Sequence, residues 1–332
     1  MPTINSSALP NPVYQGLFAA FSRAIDYVGL DIAKAVPIDG LSGTYPLAVR
    51  SVYDRSKTAT SYDPNDAQAL MSAPLPANHS IGNATVELEY YGNYHDIPRI
   101  SNFAALGLDP HEFAIKNLAA DAIDRHAAVL GDFLGTTGSY DSSYRVDGAD
   151  LNTATNPILD QIITGFDAVM DWGNGTLQPS DIAIVCNPLM AKLLSKNDDF
   201  RHSNGGSGGD EQRIPRTAVG AVLASETDGA QFRVMRQRVN STAGSEGYVF
   251  GNHIAIVATG GPGQLAFAQT FTDGGNASES AGENTVERQE NISRIEVGRF
   301  DNRDGETATA HSYFKVKSDH QKLGYLIYDA AS

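Results

Sequence analysis

Between two runs of strand-like residues, 44–53 and 84–91, lies an interval of about thirty residues, 54–83, with no periodicity of its own. It holds Pro64, Pro74 and Pro76 among many small and polar residues. A connection of that length is uncommon inside a compact domain, where loops typically run to roughly four to six residues. The second run alternates cleanly, Val86 and Leu88 against Glu87 and Glu89, as a half-buried strand requires. The region therefore reads either as a flexible insertion or as a long two-stranded loop reaching to a neighbouring subunit. A projection of that kind cannot bury its apolar residues alone, so it needs partner surfaces.

The rest of the chain has ample material for a core. At 332 residues a folded protein buries roughly three-quarters of the surface its unfolded chain exposes. Lys and Arg number 24 against 39 Asp and Glu, a net charge of −15, which opposes any function that coats nucleic acid through a basic patch. Cys186 is the only cysteine, so neither an internal disulfide framework nor a multi-cysteine zinc site is available, and a reducing compartment fits. The N-terminus lacks a charged segment followed by an apolar run, so no signal peptide is expected. No stretch approaches the ~18 apolar residues of a membrane span.

Residues 1–16 are polar and broken by proline, an arm without a core of its own. Leu17, Phe18, Phe21 and Ile25 have helical spacing, and Ala35-Val36-Pro37-Ile38 is expected to be extended, because the residue before proline disfavours the α region. Asp109-Pro110-His111-Glu112 supplies an N-cap, a proline at the first helical position and an acid for a capping box. A helix of about 25 residues follows to Leu134, with Gly131 expected to fray its last turn. Asn156-Pro157 and Asn187-Pro188 carry the same start signal. Between them Leu159, Ile162, Ile163, Phe166, Val169 and Met170 make an amphipathic helix, and Ile182–Cys186 reads as a strand buried on both faces. Strands are also expected at 231–239, at 247–258 with a turn at Gly251-Asn252, and at 323–328. A β-hairpin of 292–300 with 306–317 is expected across Asp301–Gly305.

Each short motif fails its chemical requirement. Gly205-Gly206-Ser207-Gly208-Gly209 matches G-x-S-x-G, but a nucleophile elbow needs a strand before it, and 198–204 has no strand character. Asp301–Glu306 places Arg303 where a calcium loop needs an oxygen ligand, and its glycine comes one residue early. Gly260-Gly261-Pro262-Gly263 lacks the continuation of a phosphate loop. The histidines at 79, 95, 111, 126, 202, 253, 311 and 320 show no metal-ligand spacing. Asp121, Asp124 and His126 read as a solvated or interface edge of the long helix, and Cys186 as a buried inert thiol. No catalytic, cofactor-binding or metal-binding residue is assigned, no cofactor is expected, and the chain reads as a non-enzyme.

The order of parts carries more information: a proline-rich arm, a long two-stranded loop, a long helix, an α/β region, a hairpin and a returning strand. The residues that matter are Val36–Tyr45 leading into the loop, Glu89–Pro98, the helix ending Ala127–Leu130, Asp181–Met190, Gly247–Ile256 and Gly324–Tyr328. In this order the chain resembles the major capsid protein of tailed bacteriophages, the Hong Kong 97-type fold. That implies an α+β architecture with 1–43 as N-terminal arm and 44–92 as extended loop. Residues 93–155 with 275–319 would form a peripheral domain with a spine helix and β-hairpin, and 156–274 with 320–332 an α/β axial domain.

The resemblance implies self-assembly through hexamers and pentamers into an icosahedral shell that encloses phage double-stranded DNA without binding it specifically. It implies a virion capsid assembled in the bacterial cytoplasm, with no membrane contact. The arm is short, so a separate scaffolding protein is expected, with portal and cementing proteins as further partners. Some members join an extended-loop lysine to an asparagine of a neighbour; Lys57 is the only lysine of this loop, and no acid–asparagine pairing is evident. Two alternatives remain: an encapsulin-like nanocompartment shell, and an acidic hydrolase using residues such as Ser207 and His202.

Overall fold

The computed structural model describes residues 27–38, 40–46, 83–98, 109–203, 214–242, 245–260, 264–273, 293–299, 305–318 and 320–331, with isolated positions 17, 20, 21 and 25. The arm 1–16, nearly all of the 54–83 interval, the 204–210 glycine-rich loop, 261–263 and the hairpin tip 301–304 lie outside the described residues.

A short helix α1 (Gly29–Ile32) leads into strand β1 (Ala35–Ile38), the extended segment expected around Pro37. Strands β2 (Ser42–Pro46) and β3 (Asn83–Glu87) then pair antiparallel, Thr44 opposite Thr85, as the base of the long loop. The expected single run 84–91 is two strands. Leu88 still bonds on the β2 side, donating its N–H to Leu41 O at 2.8 Å, and from Glu89 the chain enters a different sheet as β4 (Glu89–Pro98).

Helix α2 (Pro110–Gly135) runs 26 residues with Asp109 as N-cap, its carboxylate accepting from the His111 N–H at 2.9 Å. At 1.5 Å per residue it is a strut of about 39 Å. Its N-terminal half buries Ala114, Ile115, Leu118 and Ala122 against Ile97, Ala308 and Ala310, while Leu130 and Leu134 reach the other core of the molecule. Gly131 does not fray the helix. It is buried, and a Cβ there would lie 2.2 Å from Val249 Cγ1 and 3.0 Å from the Val249 backbone, so glycine is what lets that segment cross α2. Gly131→Val is therefore expected to cost about 3 kcal/mol, at the upper end of overpacking penalties, measured by urea unfolding.

After β5 (Arg145–Asp147), helix α3 (Leu159–Gly173) begins two residues later than Asn156-Pro157 signals. Asn156 is spent elsewhere: its amide donates to Asp150 O at 2.7 Å. Strand β6 (Ile182–Cys186) is buried throughout, and Asn187-Pro188 opens α4 (Pro188–Leu194) as expected. Two further helices follow, α5 (Asp198–Ser203) and α6 (Arg216–Glu226). The expected strand 231–239 divides into β7 (Gln231–Val234), whose parallel ladder with β6 closes with the Met235 N–H donating to Cys186 O at 2.9 Å, and β8 (Arg238–Thr242). The 247–258 run divides likewise, into β9 (Ser245–Tyr248) and β10 (Ile254–Ala258). Then come β11 (Gln269–Asp273), β12 (Ser293–Arg299), β13 (Gly305–Lys317) and β14 (Gly324–Tyr328).

These strands form two five-stranded sheets. In the first, β13 is central: it pairs antiparallel with β12 and β11 along one edge and with β4 along the other, and β1 joins β11 in parallel. The expected β12–β13 hairpin is present, with Ile295 opposite Ala310. In the second sheet the order is β5-β14-β10-β6-β7, with α3 against β14 and β10 and α6 against β7. Its central strands β10 and β6 have no exposed residue, which matches their uninterrupted apolar sequences. A third cluster, Ile38, Tyr45, Val86 and Phe271, fastens the base of the β2–β3 loop to β11.

Candidate functional site

Helix α5 directly precedes the glycine-rich segment, so the G-x-S-x-G match follows a helix where an elbow needs a strand. The Cys186 thiol is buried at the end of β6, and burial pushes its pKa far up, away from the reactive thiolate. Among the described residues no three His, Cys, Asp or Glu side chains stand close enough to hold a metal ion. The histidines are occupied singly. His95 donates from Nδ1 to Asp96 O at 3.0 Å, His253 accepts the Asp329 N–H at 3.1 Å, and His320 packs against Trp172.

The expected acidic edge of α2 is only partly an edge. Asp121 and Asp124 both reach solvent, and partial desolvation on the helix surface, with the Asp121 charge beside it, raises the Asp124 pKa. His126 turns the other way and is fully buried, hydrogen-bonded to Tyr27 and to Thr270 Oγ1. Both partners are remote in sequence, so spacing along the helix gives no hint of them.

What the structure offers is surface for partners. The first sheet is covered on one face by α2, through Tyr91, Asn93, His95 and Ile97 of β4 and alternate residues of β13. On its opposite face stand Tyr90 and Tyr94, 54% and 63% exposed. Antiparallel register sets Tyr90 across from Tyr313 and Gly92 across from His311. Because Gly92 has no side chain, the Tyr90 phenol lies over it, stacks on the His311 ring at 5.9 Å and meets Nδ1 at 2.9 Å. Tyr313 adds a further ring 5.0 Å from Tyr90. Beside them Lys315 bonds Glu89, and that bond holds the Glu89 carboxyl below its usual range. The result is a rigid aromatic platform with an ion pair at its margin.

The outer edge of β4 pairs with no strand among the described residues. Beyond it α2 and β8 enclose an open groove of about 590 Å³ lined by Asn93, Tyr94, Asp121, Asp124, Arg125 and Arg238. Its arginines are already held. Arg125 donates to Asn93 Oδ1 at 2.9 Å and lies over Tyr91, while Arg238 pairs with Glu246 at 3.2 Å and lies over Tyr248. An unpaired edge strand beside exposed aromatics is a place where another chain can add backbone hydrogen bonds. Among the described residues no helix is long and apolar enough to cross a membrane.

No family model matches the chain, and no curated protein matches it. Solved structures do match. A phage-related protein from Bordetella bronchiseptica aligns over 98% of this chain and 98% of its own, at 12% identity and a TM-score of 0.66. A virus-like particle from Pyrococcus furiosus aligns over 95% of this chain and 98% of its own, at 9% identity and a TM-score of 0.52. The chain has the fold that these two share, one a phage-related protein and the other a virus-like particle.

Proposed function

We propose that this chain is the major capsid protein of a tailed bacteriophage, a non-enzymatic subunit that assembles through hexamers and pentamers into an icosahedral shell around double-stranded DNA. The observation that carries the reading is the end-to-end match in fold with a phage-related protein. In this reading 1–43 is the arm and 44–92 the extended loop. Residues 93–155 with 275–319 form the peripheral domain around α2, and 156–274 with 320–332 the axial domain. The arm and loop embrace neighbouring subunits, and the aromatic platform of β4 and β13 belongs to the buried contacts. Scaffolding, portal and cementing proteins are its further partners, and assembly takes place in the bacterial cytoplasm. The charge of −15 suits a container that holds DNA without gripping it, since tight phosphate contacts would hinder packaging and release.

An encapsulin-like compartment would use the same shell, and the match to a virus-like particle keeps that second reading in view. Contents separate the two: nuclease-protected DNA marks a capsid, and a co-purifying enzyme marks a compartment. Tyr94→Asp tests the assembly reading directly. Tyr94 is largely exposed in the monomer, so the change should alter monomer stability by no more than about 0.5 kcal/mol. In a shell it places a charge in a desolvated contact, so the particle yield in sedimentation should fall at least tenfold. Unchanged particle yield would remove the platform from the assembly contacts.

A further inference from the structure

His126 stands in a hydrogen-bond chain whose direction is fixed by its far end. The Thr270 hydroxyl donates to Ala33 O at 3.0 Å, so its oxygen receives the His126 Nε2–H at 2.9 Å. That assigns the proton of the neutral ring to Nε2 and leaves Nδ1 as an acceptor for the Tyr27 hydroxyl. The order is Tyr27 O–H to His126, His126 N–H to Thr270, and Thr270 O–H to the Ala33 carbonyl. Two of these bonds tie the segment 27–34 to α2 and β11, the third joins α2 to β11 between them, and the Thr270 N–H adds another hold on the segment by donating to Lys34 O at 3.0 Å. Tyr27 reaches the histidine only by lying over Gly29, where a Cβ would meet its hydroxyl at 2.0 Å.

We propose that this chain is a proton-sensitive latch: neutral His126 holds the segment 27–34 against α2 and β11, and protonation of His126 releases it. A second proton on the ring turns Nδ1 from acceptor into donor, so Tyr27 can no longer donate to it. It also places a cation in a fully buried site. The groups that meet the ring are Tyr27 from the N-terminal segment, Thr270 from β11 and the Phe314 ring of β13 at 5.1 Å. Asp124, on the same helix, acts on Tyr27, and burial alone lowers the His126 pKa, to about 3. Among the described residues no carboxylate is in hydrogen-bond contact with the ring. The docked form therefore excludes the proton down to about pH 3, whereas the released segment exposes a histidine that takes it up near pH 6.5. Docking is independent of pH above that value and weakens as pH falls between the two.

Amide hydrogen exchange of the full-length protein, corrected for intrinsic rates, tests this at Ile32, Ala33 and Thr270 from pH 7.5 to 4.5. The opening constant of these amides should be flat above pH 6.5 and rise about tenfold per pH unit below it, while the amides of β6 and β10 stay protected. In His126→Gln, which bears no titrating group, the slope should vanish. A flat profile in the natural protein, a slope that persists in the glutamine variant, or opening only together with β6 and β10 would overturn the latch. If His126→Gln does not fold, Tyr27→Phe decides. It removes one hydrogen bond and keeps the histidine, so the opening constant should rise about fivefold to tenfold at every pH with the acid slope retained. No rise would overturn the proposal.

Discussion

Phe271→Ala is expected to lower the unfolding free energy by about 3–5 kcal/mol and to free the base of the long loop from the sheet that carries it. Phe271 lies on β11, is fully buried, and meets Tyr45 of β2 at a ring separation of 4.3 Å. Around the two rings are Ile38 and Val86, with Val36, Ala84 and Leu88 at the margin. This cluster is small, and two strands of five residues do not hold together in water without packing. Removing its central ring leaves a cavity that neighbours on three separate strands cannot fill together. The Lys317 ammonium, which donates to Thr85 O at 2.9 Å and lies over Tyr45, bonds the rim of the hairpin but buries nothing. Urea unfolding should show the loss in stability. Proteolysis should show early cleavage beside residues 42–46 and 83–87, with the second sheet intact.

Asn187→Ala should cost about 3 kcal/mol, since three buried hydrogen bonds depend on one amide. Its oxygen accepts from the Met190 N–H at 2.7 Å and so caps α4. Its nitrogen donates to Phe250 O at 3.0 Å and Gly251 O at 2.8 Å, in the segment between β9 and β10. Asn187 is 1% exposed, so the groups left behind are poorly placed to recover water, and each orphaned buried group costs roughly 1–3 kcal/mol. Asn187→Ser restores the cap but reaches neither carbonyl, so it should recover only about 1 kcal/mol. Full recovery by serine would mean that the two carbonyl bonds carry no weight.

Asn187 also shows which parts of the fold are legible in the amino-acid sequence. Asn187-Pro188 and Asp109-Pro110 both announce helices, because the cap and the proline act within one turn. Asn156-Pro157 carries the same signal and the helix still starts at Leu159, since Asp150 O competes for the Asn156 amide. Local pattern reveals which side chains can cap, not which ones a distant carbonyl has claimed. The buried strands β6 and β10 are plain from their apolar runs, but Leu88 is not recognisable as the point where one run changes sheet, because the change is set by pairing with β13, remote in sequence. His126 is the sharpest case: its partners lie 99 and 144 residues away, and helical spacing alone assigns it to the wrong face. Gly131 is similar, because the segment that crosses it is more than a hundred residues downstream. The candidate surface was hidden: the alternation of 84–91 groups Tyr90 with the apolar Val86 and Leu88, and its outward placement and stack with His311 and Tyr313 appear only once the change of sheet and the register with β13 are known.

The central claim is that this chain builds a closed shell. Negative-stain imaging of the purified full-length protein, expressed alone and together with a candidate scaffolding protein, tests it most directly. The account predicts hollow, closed particles of uniform diameter in at least one of the two preparations. Dispersed monomers and small oligomers in both would contradict it.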